Sequence, residues 1–322
     1  MRILVLGGTR FVGRAIVDAL LCDHEVSVLN RATRPLWDRR LTQVVADRTD
    51  AGQMRRALGA SSYDAVVDVS GTEPVHVSNV IRALPQGESL RYVYISSATV
   101  YNRLSADPPF AEKDRADGDA VWDGYGEAKA ACEALLRGAL PSGTLTILRP
   151  PYVYGPHNAE QREQFLWARM ISGRPILVPG DGGTRIQFVH ARELARIVAT
   201  ACEKRLVPDV YNVGEHATYS FLEYLHILAR VAEVTPRLVM ITDTSIRPRD
   251  YFPFRDVELT LDVSRLAAAG VTAGSHLTEG LAETLAWFQR YGDLKHVPAR
   301  EEARSGPAGA SFRDGGSTRS PA

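Results

Sequence analysis

Two hydrophobic rhythms alternate along the first two-thirds of the chain. Short, mostly apolar runs at Ile3–Leu6, Glu25–Leu29, Gln43–Ala46, Ala65–Val69, Arg91–Ile95 and Thr144–Leu148 predict strands buried on both faces of a parallel sheet. Between them the apolar positions fall three and four apart, as on one face of a helix. This holds through Val12, Ala15, Ile16, Ala19 and Leu20, and over Pro74–Leu84, with proline in the first turn. It holds again over Asp123–Leu140, through Ala128, Ala131, Cys132, Leu135, Leu136, Ala139 and Leu140. Strand and helix in alternation predict an α/β fold, a Rossmann-like doubly wound parallel sheet. Further helices are predicted over Gln161–Ser172, Ala191–Glu203, Ser220–Ala232 and Leu277–Tyr291, a strand over Val210–Val213, and short β segments near Leu238–Ile241 and Val257–Leu261. The later elements read as a smaller, mixed α/β C-terminal lobe.

Bulk composition adds exclusions. Lysine plus arginine balances aspartate plus glutamate at 38 each, so no overall field draws the chain to nucleic acid or to an anionic membrane. Cys22, Cys132 and Cys202 are odd in number and lie in apolar helical patterns, which suits buried thiols in a reducing cytoplasm better than disulfides or a metal site. The histidines are scattered without ligand spacing, so no metal is expected. The apolar run at the N-terminus is broken by Gly7-Gly8 and reads as a first strand, not a signal peptide. Residues 297–322 are rich in Gly, Ser, Pro, Ala and Arg and are expected to be disordered.

Chemistry enters at the strand ends. Gly7, Gly8 and Gly13 stand between the first strand and the first helix, where backbone amides at a helix N-terminus can hold a pyrophosphate. Arg10 occupies the position usual for the central glycine. The second strand ends at Asn30-Arg31, where an NAD-selective site would carry an acid. Arg10, Arg31 and Arg34 suit the 2′-phosphate of NADP, or are solvated loop residues. Asp47 could accept from an adenine amino group or cap the helix that begins near Asp50. Ser70-Gly71 would let the backbone approach a ribose. Ser96-Ser97 follows the fifth strand, where a hydroxyl can polarise a carbonyl or serve as turn chemistry. Residues 102–122 read as a loop over the site, and Arg149–Pro156 as a rigid loop across the mouth of a pocket. Tyr125 and Lys129, four apart on one helix face, form either a surface pair or a proton donor and acceptor whose neighbouring charge lowers the phenol's pKa.

These pieces together resemble the extended short-chain dehydrogenases/reductases, the NAD-dependent epimerase/dehydratase family. The resemblance rests on Gly7-Gly-Thr-Arg-Phe-Val-Gly13, Asp47, Ser97, Tyr125 with Lys129, Leu148-Arg-Pro-Pro-Tyr-Val-Tyr-Gly-Pro156 and Phe188-Val-His-Ala-Arg-Glu-Leu194. The arginine in the loop is similar to an atypical subgroup that includes chloroplast RNA-binding members. The resemblance implies that Tyr125 is the acid/base, that Lys129 binds the nicotinamide ribose and that Ser97 bonds the reacting oxygen. It implies dinucleotide contacts from Gly7, Gly8, Thr9, Arg10, Phe11, Val12, Gly13, Asn30, Arg31, Arg34, Asp47, Arg48, Ser70 and Pro151, with NADP(H) favoured and NAD(H) the alternative. Residues 1–154 and 187–214 would form the dinucleotide domain, and 155–186 and 215–296 the substrate lobe. Ser97, Thr99, Tyr152, Arg185 and Arg255 are candidates for a sugar-like substrate. Ala98 and Thr99 stand where family dehydratases carry an Asp-Glu pair, so a reductase or epimerase is expected. A homodimer through the helix bearing Tyr125 and its neighbour is the expected assembly, and a catalytically idle binding protein, with RNA as a candidate ligand, is the alternative reading.

Overall fold

The computed structural model describes residues 1–33, 35–85, 90–158, 160–274 and 276–291. In chain order the elements are β1 (Arg2–Leu6), α1 (Phe11–Leu20), β2 (Glu25–Asn30), β3 (Thr42–Val45), α2 (Ala51–Leu58), β4 (Ala65–Asp68), α3 (Pro74–Ala83) and β5 (Arg91–Ile95). Then come α4 (Tyr125–Ala139), β6 (Leu145–Arg149), β7 (Tyr152–Tyr154), α5 (Arg162–Ile171), β8 (Ile176–Pro179), β9 (Arg185–His190), α6 (Ala191–Cys202) and β10 (Val210–Asn212). The chain continues through β11 (Thr218–Ser220), α7 (Phe221–Val231), β12 (Leu238–Ile241), α8 (Ser264–Ala268) and α9 (Leu277–Tyr291).

Seven strands form one sheet in the order β10-β6-β5-β4-β1-β2-β3, with every pairing parallel. The order reverses between β1 and β4, which opens a crevice at the carboxyl ends of those strands. Alternation along β1 shows why its run is apolar throughout. Ile3 and Val5 pack into the cluster with Ile16, Val17, Leu194 and Val198 on one face, and Leu4 and Leu6 into the cluster with Met54, Val77 and Leu136 on the other. Both faces are covered, so neither tolerates polar side chains.

The smaller lobe has its own core of Tyr154, Trp167, Phe188, Phe221, Tyr224, Phe254, Leu281 and Phe288. Its strands lie in two small sheets, β11-β9-β7 and β12-β8. The Arg149–Pro156 stretch, expected as loop, therefore contains β7, which pairs in parallel with β9. Val257–Leu261 makes only isolated bridges, Leu259 with Ile186 and Leu261 with Phe110. The third strand begins one residue earlier than its apolar run suggests and ends at Val45. The segment 297–322, expected to be disordered, lies outside the described residues. No helix among the described residues is long and apolar enough to cross a membrane.

Candidate active site

The glycine turn after β1 is shaped by close approach. A Cβ at Gly13 would lie 2.1 Å from the Gly7 carbonyl oxygen, and one at Gly7, whose φ is +86°, would lie 2.5 Å from Ser70 Cβ. Only hydrogens fit there, so α1 abuts β1 and β4 directly. Arg10 is tolerated in the glycine position because its backbone is extended, at φ −138° and ψ 147°. The left-handed turn falls on the next residue, Phe11, at φ 41°. Thr9, Arg10, Phe11 and Val12 thus lie in the turn and first residues of α1, with Arg10 exposed.

At the end of β2, the Ala32 N–H and Gln43 Nε2 donate to Asn30 Oδ1 at 2.7 and 3.0 Å. Asn30 Nδ2 is buried with no hydrogen-bond partner, so a donor is left facing this corner. Arg31 is exposed beside it, and Arg34 lies outside the described residues. Asp47 accepts from Thr49 N and Oγ1 at 2.9 and 2.7 Å, and those two bonds hold its carboxyl below the usual range. The cap of α2 is Asp50, whose Oδ1 accepts from Gly52 N and Gln53 N. Arg48 is half-buried and turned inward, donating to Asp68 at 2.9 and 2.7 Å and to Ser70 Oγ at 2.6 Å.

A second hydrogen-bonded chain runs from there to α4. Asp68 accepts from Tyr92 OH and Gly71 N, and the Gly71 carbonyl accepts from Tyr94 OH at 2.7 Å and from Lys129 Nζ at 2.8 Å. Burial tends to raise the Asp68 pKa, but the Arg48 charge and these donors outweigh it and hold the carboxyl ionised. Lys129 Nζ also donates to Ile95 O at 2.7 Å and lies 4.7 Å from the Tyr94 ring centroid. The helix can bring Lys129 this deep because Gly126 has no side chain: a Cβ there would lie 2.2 Å from Thr99 O. The tight contact seats the N-terminus of α4 on the turn that carries Ser97.

Ser97 begins a short 3-10 turn over Ala98–Val100 and accepts from Thr99 N and Thr99 Oγ1 at 3.2 and 3.0 Å. Both bonds use the oxygen as acceptor, which leaves the serine O–H to donate elsewhere. The Ala98 N–H donates to Pro150 O at 2.8 Å, so Pro151 and Tyr152 lie beside the same turn. Tyr125 is 42% exposed and opens α4, one residue after Gly124 at φ 82°. Because Asp123 and Gly124 are both left-handed, the helix starts two residues later than its apolar periodicity suggests.

The sequence expectation that Lys129 lowers the Tyr125 pKa does not hold here. Although the side chain is 42% exposed, loss of water on its covered side and then the Glu160 charge push it up to about 12, against a smaller opposing effect of Arg162. Lys129 is engaged by two carbonyls, and burial brings its own pKa down to about 8.

Residues to which the sequence reading gave no such role brace this centre. Glu133, one turn beyond Lys129, accepts from Ser96 Oγ at 2.6 Å and from Arg149 Nε and Nη2 at 2.9 and 2.6 Å. Arg149 Nη1 donates to Tyr101 OH, which donates to Asn212 Oδ1 at 2.6 Å. The i+4 spacing from Lys129 was the signal available for Glu133. Of the substrate candidates, Thr99 and Tyr152 flank Ser97. Arg185 instead donates to Thr218 O and Oγ1, at the β9–β11 edge, and pairs with Glu223 at 3.5 Å. Arg255 donates to Asp123 Oδ2 at 2.5 Å and lies over Trp122. No cluster of three or more His, Cys, Asp or Glu side chains able to hold a metal is found among the described residues.

A family model described as NAD dependent epimerase/dehydratase family matches residues 3–214. The chain is 27% identical over 304 residues to the chloroplast stem-loop binding protein of 41 kDa b from Arabidopsis thaliana, covering 88% of this chain and 78% of that protein. It is 23% identical over 206 residues to an Arabidopsis thaliana trifunctional UDP-glucose 4,6-dehydratase/UDP-4-keto-6-deoxy-D-glucose 3,5-epimerase/UDP-4-keto-L-rhamnose-reductase, covering 63% of this chain but only 30% of that longer protein. In fold it is similar to a dTDP-glucose 4,6-dehydratase from Bacillus anthracis solved with NAD, at TM-score 0.75 and 17% identity, covering 90% of this chain and 97% of that one.

Proposed function

Because this chain belongs to the NAD-dependent epimerase/dehydratase family of extended short-chain dehydrogenases/reductases, we propose that it catalyses reversible hydride transfer at a secondary alcohol or ketone of a sugar-like substrate. The observation that supports this reading is the seating of α4 on the Ser97 turn through Gly126, with Tyr125 opening that helix and Lys129 Nζ donating to Ile95 O at the end of β5.

The residues fit a dinucleotide. The Gly7 and Gly13 cradle excludes any side chain from the approach to the α1 N-terminus, and Asn30 Nδ2 is a buried donor without a partner. When bound, the nicotinamide supplies the hydride acceptor or donor. The protein's own part is proton movement and orientation. Tyr125 gives a proton to the carbonyl oxygen in reduction and takes it back in oxidation. Ser97 donates to that same oxygen and fixes its position. Lys129 would bind the nicotinamide ribose hydroxyls.

Elimination of water needs an acid and a base of its own. Ala98 is apolar, and Thr99 Oγ1 is spent on Ser97, so a reductase or epimerase fits better than a dehydratase. Replacing Tyr125 by Phe should lower turnover by at least a hundredfold and leave dinucleotide affinity within about twofold. Turnover that survives the change would remove Tyr125 as the acid/base.

Asn30 offers a donor where a carboxylate would repel phosphate, and exposed Arg10 and Arg31 stand in the neighbouring segments. NADPH should therefore bind more tightly than NADH in a fluorescence titration, and equal or tighter NADH binding would refute that preference. A homodimer across the outer faces of α3 and α4, where Val75 is 49% exposed, belongs to the same reading. Light scattering should return twice the chain mass, and a monomer would exclude it.

The likeness to the chloroplast stem-loop binding protein favours a second reading, a binding protein without turnover. Stem-loop RNA bound equally by the parent and by Tyr125→Phe, with no dinucleotide-dependent turnover in either, would support it over the first.

A further inference from the structure

We propose that Arg48 and Asp68 are a positioning pair that holds the Ser70-Gly71 turn and, through it, keeps the Gly7 turn and Lys129 at the spacing a dinucleotide requires. This rests on the reading of those two groups as pyrophosphate and ribose contacts, but half of its test needs no dinucleotide.

In the large sheet β1 and β2 lie between β3 and β4. Even so, a side chain that follows β3 is bonded to the one that ends β4. Arg48 presents Nη1 and Nη2 to the two oxygens of Asp68, a planar fork that a lysine could not match. The same Nη1 donates to Ser70 Oγ. The backbone on the Arg48 side is held as well, since Asn79 Nδ2 of α3 donates to Arg48 O and Thr49 O at 2.9 and 3.1 Å. Asp68 is fully buried, and its oxygens also accept from Gly71 N and Tyr92 OH, each at 2.9 Å. An ion pair this far from solvent gains little net stability over apolar side chains of the same volume, so what it adds is the geometry it fixes.

That geometry reaches both ends of the site. On one side Ser70 abuts Gly7, where a Cβ would lie 2.7 Å from the Oγ that Arg48 holds. On the other, Gly71 has no room for a side chain, because a Cβ would lie 2.9 Å from Asp68 Oδ2. Its N–H is bound by Asp68 and its carbonyl accepts from Lys129 Nζ, so the lysine takes its position from a residue that the pair grips. The pair also reaches Lys129 through its charges. Burial brings the Lys129 pKa down to about 8; Asp68 leads the charges that oppose this fall, followed by Cys132 and Glu133 on its own helix, while Arg48 adds to it. Tyr94 of β5, the other titratable neighbour, presents its ring to the ammonium and donates its hydroxyl to the same Gly71 carbonyl.

The chain has four lysines, Lys113, Lys129, Lys204 and Lys295, so NMR of the full chain carrying isotopically labelled lysine can follow the Lys129 ammonium, assigned by its absence from Lys129→Met. Asp68→Asn removes the nearby negative charge and leaves that of Arg48, so the Lys129 titration should move down by at least half a pH unit. Arg48→Met combined with Asp68→Asn removes both charges and should return part of that shift. In fluorescence titrations with NADPH and NADH at pH 7, the tighter of the two should bind at least tenfold more weakly to the double variant. Arg48→Lys, which keeps the charge but not the fork, should weaken it by threefold or more. Circular dichroism melting curves identify any variant that does not fold, and Arg48→Lys, the mildest change, then carries the binding test. A Lys129 titration that does not move in Asp68→Asn, or folded variants that bind dinucleotide as the parent does, overturns the proposal. A parent chain that binds neither dinucleotide refutes the dinucleotide reading instead, and the Lys129 titration, read without ligand, still decides whether the pair acts on that lysine.

Discussion

A lysine ammonium 2% exposed to solvent must be held by other groups, and the two carbonyls around Lys129 meet that need with partial charges alone. Burial therefore wins, and the ammonium loses its proton at about pH 8 while an ordinary lysine would hold it beyond 10. The ionised Asp68, reached through Gly71, opposes part of that fall. The consequence for binding has a definite sign. Below pH 8 the native chain carries the Lys129 charge, and above it the charge is lost. Dinucleotide affinity measured by fluorescence should be level up to about pH 8 and then weaken, by at most tenfold per pH unit. Lys129→Met should bind weakly throughout and show no such fall. Affinity that stays constant to pH 10 in the parent chain would show that the Lys129 charge is not used.

At the scale of elements, periodicity revealed what neighbouring residues decide and concealed what distant ones decide. The strand runs and the helix bearing Tyr125 were legible because each buries apolar groups at a fixed repeat. The start of α4 was not, since it depends on the left-handed backbone at Asp123 and Gly124, and only Gly124 advertises that freedom. β7 was hidden because its three residues pair with β9, whose partner is over thirty residues away in sequence. The same holds for the site. Ser97, Tyr125 and Lys129 were candidates because they lie in short local motifs that resemble the family's, whereas the brace of Glu133, Arg149, Tyr101 and Asn212 depends on side chains from four separate segments. A buried pair such as Glu133 with Arg149 gives little net stability against apolar replacement, but removing one partner strands the other charge. Its service to α4 is orientation: it ties the turn after Lys129 to Ser96, the residue that precedes Ser97.

For the molecule as a whole, a carboxyl near the meeting of the two lobes links stability to pH. Glu215 follows β10 of the large sheet, its N–H donates to Phe188 O of β9, and its Oε1 accepts from Tyr154 OH of β7 at 3.0 Å. His190 stands against the same tyrosine ring at 5.0 Å and is kept neutral by burial, with its pKa near 4, so it offers no cation to the carboxyl. Burial pushes Glu215 up to about 7, with Tyr154 opposing and Glu193 adding to the rise. The folded state therefore holds a proton that the unfolded chain releases near pH 4.5, and this favours folding fully below that value. The advantage fades as pH rises and is gone above 7, where ionising the buried group costs up to about 3 kcal/mol relative to a neutral side chain. Glu215→Gln keeps an oxygen for Tyr154 and cannot ionise. Its Tm should match that of the parent at pH 5 and exceed it at pH 8.5, by about 2 to 4 °C for each kcal/mol recovered in a chain of this size. The gap between the two melting curves should open between pH 5 and 8.5. A gap of the same size at both pH values would mean that Glu215 acts through packing alone and that its proton has no part in holding the lobes together.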